Sequence, residues 1–149
     1  MKTTALYAAL ALGVIATPAW SAGDLSRADV ETVILEMGSN DNGMYFKPSH
    51  LDFDTGKAYE IVLKNPDKIK HEAETAEFAE KVFARKVEVK SPSGELIAEI
   101  KGAVCEIEVG PGGEVEWFVV PVQTGTALAM ECPLEGHREA GMHGTITIN

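Results

Sequence analysis

Cys132, His137 and Met142 fall in one run near the end of the chain, Cys132-Pro-Leu-Glu-Gly-His137-Arg-Glu-Ala-Gly-Met142. A thiolate, an imidazole and a thioether are three of the four groups of a blue-copper electron-transfer site. That site sets two His and one Cys in a trigonal plane with a weak axial Met. Each of these residues alone is more often a core thiol, a loop residue or core filler. Their spacing of five and ten positions on one loop is what points to a metal. The group still missing is a second His.

The remaining histidines are His50, His71 and His143. His143 adjoins Met142, and on a strand neighbouring side chains point to opposite faces, so a Met142 aimed at a metal leaves His143 aimed away. His50 lies in a Pro48-Ser-His turn and reads as a solvated loop residue. His71 follows the apolar run Ala58 to Lys64 and is expected just past a strand end, where it can reach the loop; it is the chosen fourth ligand. Gly136 and Gly141 allow the loop to bend tightly beside two of the donors.

Zinc also accepts thiolate and imidazole, but structural zinc sites rarely recruit Met. Met37, Met44 and Met130 are scattered over separate predicted strands and read as core packing rather than as a second Cu(I) cluster. A dinuclear centre needs two cysteines in the loop and only Cys132 is there. A multicopper oxidase or nitrite reductase site needs further histidines beside the cysteine, where Glu131 and Pro133 stand. One mononuclear copper ion remains, and a cage of four side chains leaves no open position for a substrate, which argues against an enzyme.

These residues have to be positioned by strands. Short alternating segments separated by turn residues predict an all-β, Greek-key β-sandwich. Strands are expected over Val30 to Met37, Met44 to Lys47, Ala58 to Lys64, Lys86 to Lys90, Glu95 to Ile100, Ala103 to Val109, Glu114 to Val122, Thr126 to Cys132 and Gly144 to Ile148. Between Glu72 and Ala84 the apolar period is nearer 3.6 than 2, which predicts one short surface helix. Alternation over Ala103 to Val109 puts Cys105 on the apolar face with Ile107, so it reads as a core thiol rather than a disulfide partner of Cys132.

Lys2, the apolar run Ala5 to Ala16 and the small-x-small triplet Ala19-Trp20-Ser21 predict a secretory signal peptide over residues 1–21, followed by one domain over 22–149. In a bacterium the mature protein would be periplasmic, without membrane insertion, and monomeric. Cleavage removes one base and no acid, moving the formal charge from −10 to −11. Such a charge disfavours nucleic acid and anionic membranes and favours cations or basic protein surfaces.

The stretches Met44-Tyr-Phe-Lys-Pro48, Gly56 to Asn65 with His71, Gly110-Pro-Gly, and Cys132 through Gly144-Thr-Ile-Thr-Ile together resemble a cupredoxin, a small type 1 copper protein. The His71-Glu72 pair, the helix predicted after it and Phe118-Val-Val-Pro-Val122 look most like periplasmic cupredoxins associated with copper tolerance. The resemblance implies a copper-handling role. The alternative it implies is a one-electron carrier docking with a basic partner such as a c-type cytochrome; cuprous oxidase activity would require a vacant or weakly held position. Two departures stand out. Glu72 occupies the place where many electron-carrying members have an Asn or Ser bracing the thiolate. Arg138 and Glu139 follow His137, leaving Pro133, Leu134 and Ala140 for an apolar docking patch.

Overall fold

The computed structural model describes residues 25–149, so the predicted leader and the domain start at residue 22 lie outside the described residues. After a single 3-10 turn, eleven strands and one helix follow. They are β1 (Val30–Asn40), β2 (Gly43–Lys47), β3 (His50–Phe53), β4 (Ala58–Lys64), β5 (His71–Glu74), α1 (Ala76–Ala79), β6 (Val82–Lys90), β7 (Leu96–Ile100), β8 (Glu106–Val109), β9 (Glu114–Pro121), β10 (Gly125–Glu131) and β11 (His143–Ile148). One sheet has the order β2-β1-β4-β9-β6-β7 and the other β3-β11-β10-β5-β8. Neighbours in space are mostly not neighbours in sequence, the pattern of the Greek-key sandwich expected above. β1 with β4 and β3 with β11 are the parallel pairs, and every other pairing is antiparallel.

The core lies between the sheets and follows the two-residue period of strands. In β9, Val115, Trp117, Val119 and Pro121 face inward while the residues between them are partly exposed. Met37 and Met130 are core residues of separate sheets and Met44 packs against the core from β2, as their scatter in sequence implied. Phe78 of α1 is fully buried, 5.2 Å from the Phe53 ring of one sheet and 5.5 Å from the Trp117 ring of the other.

Three expectations need correction. The helix predicted over Glu72 to Ala84 is only one turn, Ala76–Ala79. Its flanks became strands because both find ladder partners: His71–Glu74 pairs with β8 and, at Glu74, with β10, and Val82 onward pairs with β9. Nor is the helix a mere surface element, since it delivers Phe78 to the core. Cys105 is exposed rather than buried. β8 starts only at Glu106, so the alternation holds for Ile107 and Val109 but not upstream of them. His71, expected just past the end of the Ala58–Lys64 strand, opens the next strand, β5.

A candidate metal centre at one end of the sandwich

Four connections meet at one end of the sandwich: the β1–β2 turn, the β4–β5 loop, the β8–β9 turn and the β10–β11 loop. The Asn65 N–H donates to the Gly113 carbonyl at 3.0 Å and the Met44 N–H to the Ala140 carbonyl at 2.9 Å, tying these connections together. His71 stands at the start of β5 opposite Val109 of β8. Cys132 follows the last residue of the adjacent strand β10. His137 and Met142 lie in the loop leading to β11.

One ligand-type atom from each of His71, Cys132 and His137 lies within 4.8 Å of the others. Cys132 Sγ is 3.3 Å from His137 Nδ1, and the two imidazole rings stand 5.2 Å apart at 61°. His71, Cys132 and Met142 are fully buried and His137 is half-buried, so the cluster meets solvent along His137. Met142 is bonded to both other loop residues through its backbone. Its N–H donates to the His137 carbonyl and its carbonyl accepts the Cys132 N–H, at 3.0 and 3.1 Å. The remaining two histidines are elsewhere: His143 is exposed, and exposed His50 is held by Thr145 and Asp52.

The loop between Cys132 and Met142 is stiffer than its length suggests. His137 donates to Leu134, Ala140 to Gly136 and Gly141 to Arg138, all at 3.0 Å. Gly136 and Gly141 take φ of +80° and +107°, conformations that glycine adopts without a Cβ penalty. Loop and β2 meet closely at Gly43, where a Cβ would strike the Ala140 carbonyl oxygen.

Electrostatics leave the donors free to ligate. The Asp67 carboxylate can only accept, so His71 Nε2–H must donate to its Oδ2 at 3.1 Å, leaving a lone pair on Nδ1. That Nδ1 is buried and has no hydrogen-bond partner. An orphaned buried acceptor costs free energy unless something else satisfies it. Burial and the neighbouring His71 hold the His137 imidazole below its ordinary pKa, favouring the neutral, ligating form. Burial pushes the Cys132 thiol up, against the pull of backbone N–H groups from Leu134 and Glu72. A bound cation would remove that proton.

Glu72 stands at one departure noted in the sequence: its backbone N–H lowers the Cys132 thiol pKa, while its side chain shares a hydrogen bond with Glu106, which together with burial raises its carboxyl pKa to about 7. Three contributors were not read from the sequence: Asp67, Ser39, whose hydroxyl donates to Asp67, and Gly43. The only local sign of Asp67 was its position four residues before His71, beside the Asn65-Pro turn.

The chemistry of this donor set fits one copper ion. A soft thiolate and two imidazoles are the His2Cys plane of such sites, and a buried unpartnered Nδ1 is what a ligating nitrogen looks like without its ion.

No protein-family model and no curated protein matches the sequence. Solved structures share its fold. A multicopper oxidase from Campylobacter jejuni superposes with a TM-score of 0.62 at 12% identity, over 85% of this chain and 31% of that one. A copper nitrite reductase from Nitrosomonas europaea gives 0.61 at 16% identity, over 86% and 52%. The likeness is one of fold, the cupredoxin-like sandwich. This chain spans about a third to a half of those two proteins. Auracyanin from Roseiflexus castenholzii is matched over 82% of this chain and 98% of its own, at 17% identity and a TM-score of 0.48.

Proposed function

We propose that this chain is a periplasmic, mononuclear type 1 copper protein that cycles between Cu(I) and Cu(II) and acts in copper handling and tolerance. His71, Cys132 and His137 would form the ligand plane and Met142 the axial contact. The observation that carries this reading is the orphaned Nδ1 of buried His71 beside Cys132 and His137. Copper in such a cage exchanges single electrons with little movement of its ligands.

The chain's own residues determine how that exchange would run. Cys132, at a strand end and bonded through its N–H to Met142, supplies a rigidly held sulfur. His137 is the half-buried ligand and therefore the route by which electrons enter and leave. Four side-chain ligands leave no position for a substrate, so the role is not enzymatic. Residues 1–21 are proposed as the leader that exports the protein. Among the described residues no helix is long and apolar enough to cross a membrane.

Copper handling is favoured by the charged surroundings of His137. Arg138 is paired with Glu131 in place of an open apolar rim, and Glu135 and Glu139 are exposed. The second reading, an electron carrier for a basic partner, is favoured by exposed Pro133 and half-buried Leu134 and Ala140 on the same loop.

Adding Cu(II) to the purified protein should produce an intense thiolate-to-copper absorption band and a type 1 EPR signal. Both should vanish in Cys132→Ser. A wild-type protein without the band, or a band surviving that substitution, overturns the site. Deleting the gene should sensitise cells to copper. Unchanged tolerance together with slowed electron transfer to a cytochrome would select the carrier role instead.

A further inference from the structure

Asp67 sits in the β4–β5 loop with every carboxylate contact accounted for. Its Oδ2 accepts from Ser39 Oγ at 2.5 Å and from His71 Nε2–H at 3.1 Å, while Oδ1 accepts the Lys68 N–H at 2.6 Å. The loop beneath it is locked. Asp67 N–H donates to Asn65 Oδ1 at 2.9 Å, and the buried Asn65 donates through Nδ2 to the Ile69 and Val109 carbonyls, both at 2.8 Å. Among the described residues no Lys or Arg pairs with Asp67; the one imidazole on its carboxylate is that of His71. Its side chain is 17% exposed and that of His71 is fully buried. The carboxylate is therefore hydrogen-bonded to one imidazole, at the ring nitrogen other than the free Nδ1.

We propose that Asp67 is a positioning residue for the copper site: it fixes His71 as the Nε2–H tautomer and makes that ring a more basic ligand, stabilising Cu(II) over Cu(I). The proposal rests on the copper reading above. Its physical basis is general. A ligating His that gives its other N–H to a carboxylate is held in orientation and strengthened as a donor, and losing such a partner typically costs about 10–100-fold in metal affinity. Cu(II) carries the larger charge and gains more from a nearby anion than Cu(I) does. Ser39 and Lys68 set the carboxylate's position without carrying its charge.

The test compares the reduction potentials of copper-loaded wild type, Asp67→Asn and Asp67→Glu. Asn is nearly isosteric and keeps an acceptor for the Lys68 N–H, so its fold should survive. Its Cu(II) affinity should fall about 10–100-fold relative to Cu(I), which at about 59 mV per tenfold for one electron raises the potential by about 59–118 mV. Glu restores the charge and should bring the potential back toward wild type. A blue band with an unmoved potential in Asp67→Asn overturns the proposal while leaving the copper site standing. Nitrogen NMR of copper-free protein is the second readout: His71 should be the Nε2–H tautomer in wild type and a mixture in Asp67→Ala. The same tautomer in both overturns the positioning role. A wild-type protein with no blue band overturns the copper reading, and the predicted potential shift with it.

Discussion

At the scale of single residues, the two cysteines have opposite fates. Cys105 is exposed ahead of β8 and Cys132 is buried with a raised thiol pKa, and no bridge joins them. Thiolate is the reactive form, so burial slows reaction twice over, by access and by protonation. Copper-free native protein should therefore react rapidly at one thiol with an exposed-thiol reagent, and Cys105→Ser should abolish that fast phase. Met142 separates packing from ligation in a different way. It is fully buried, so Met142→Ala should destabilise the copper-free protein by about 2–5 kcal/mol in denaturant unfolding. Met142→Leu keeps most of the volume and should cost less than about 1.5 kcal/mol, yet it removes the sulfur. An EPR spectrum and potential unchanged by Leu would argue against an axial thioether.

At the scale of elements, the loop from Cys132 to Met142 depends on a strand that supplies none of the proposed ligands. Gly43 opens β2 at φ +127°, the Met44 N–H holds the Ala140 carbonyl, and a Cβ at Gly43 would strike that same oxygen. Gly43→Ala should cost about 1–3 kcal/mol in strain and displace the loop. Reduced stability together with weaker copper binding is the expected pair of results. Reduced stability with unaltered binding would mean that the loop holds its shape without β2. The short β5 illustrates a different dependence. His71, Glu72 and Ala73 are all buried in it, and the carboxyl that Glu72 shares with Glu106 comes from the position next to His71.

At the scale of the whole molecule, one helical turn joins the two sheets. Phe78 is fully buried against Phe53 of one sheet and Trp117 of the other, and Phe53 in turn meets the Tyr59 ring edge-on at 4.8 Å. Phe78→Ala should cost about 3–5 kcal/mol, a large part of the roughly 5–15 kcal/mol that stabilises an ordinary domain. The check is a lowered denaturant midpoint with the slope retained. A loss under 1 kcal/mol, on the order of an exposed substitution, would mean that the sheets repack without the helix.

What the sequence determined by itself was local in origin. The strand periods of β4 and β9, the glycine bends at Gly136 and Gly141, and the donor spacing of Cys132, His137 and Met142 all express themselves within a few residues. His71 was reachable by elimination among few histidines. Tertiary structure decided the rest, because it depended on partners far away in the chain. β5 is a strand because β8 and β10 pair with it, although its own residues read as the start of a helix. Cys105 is exposed because the ladder begins one residue later. Asp67 matters because Ser39, 28 positions upstream, and His71 converge on its carboxylate. Periodicity reports which face a residue takes once its element exists; only long-range pairing decides whether that element forms.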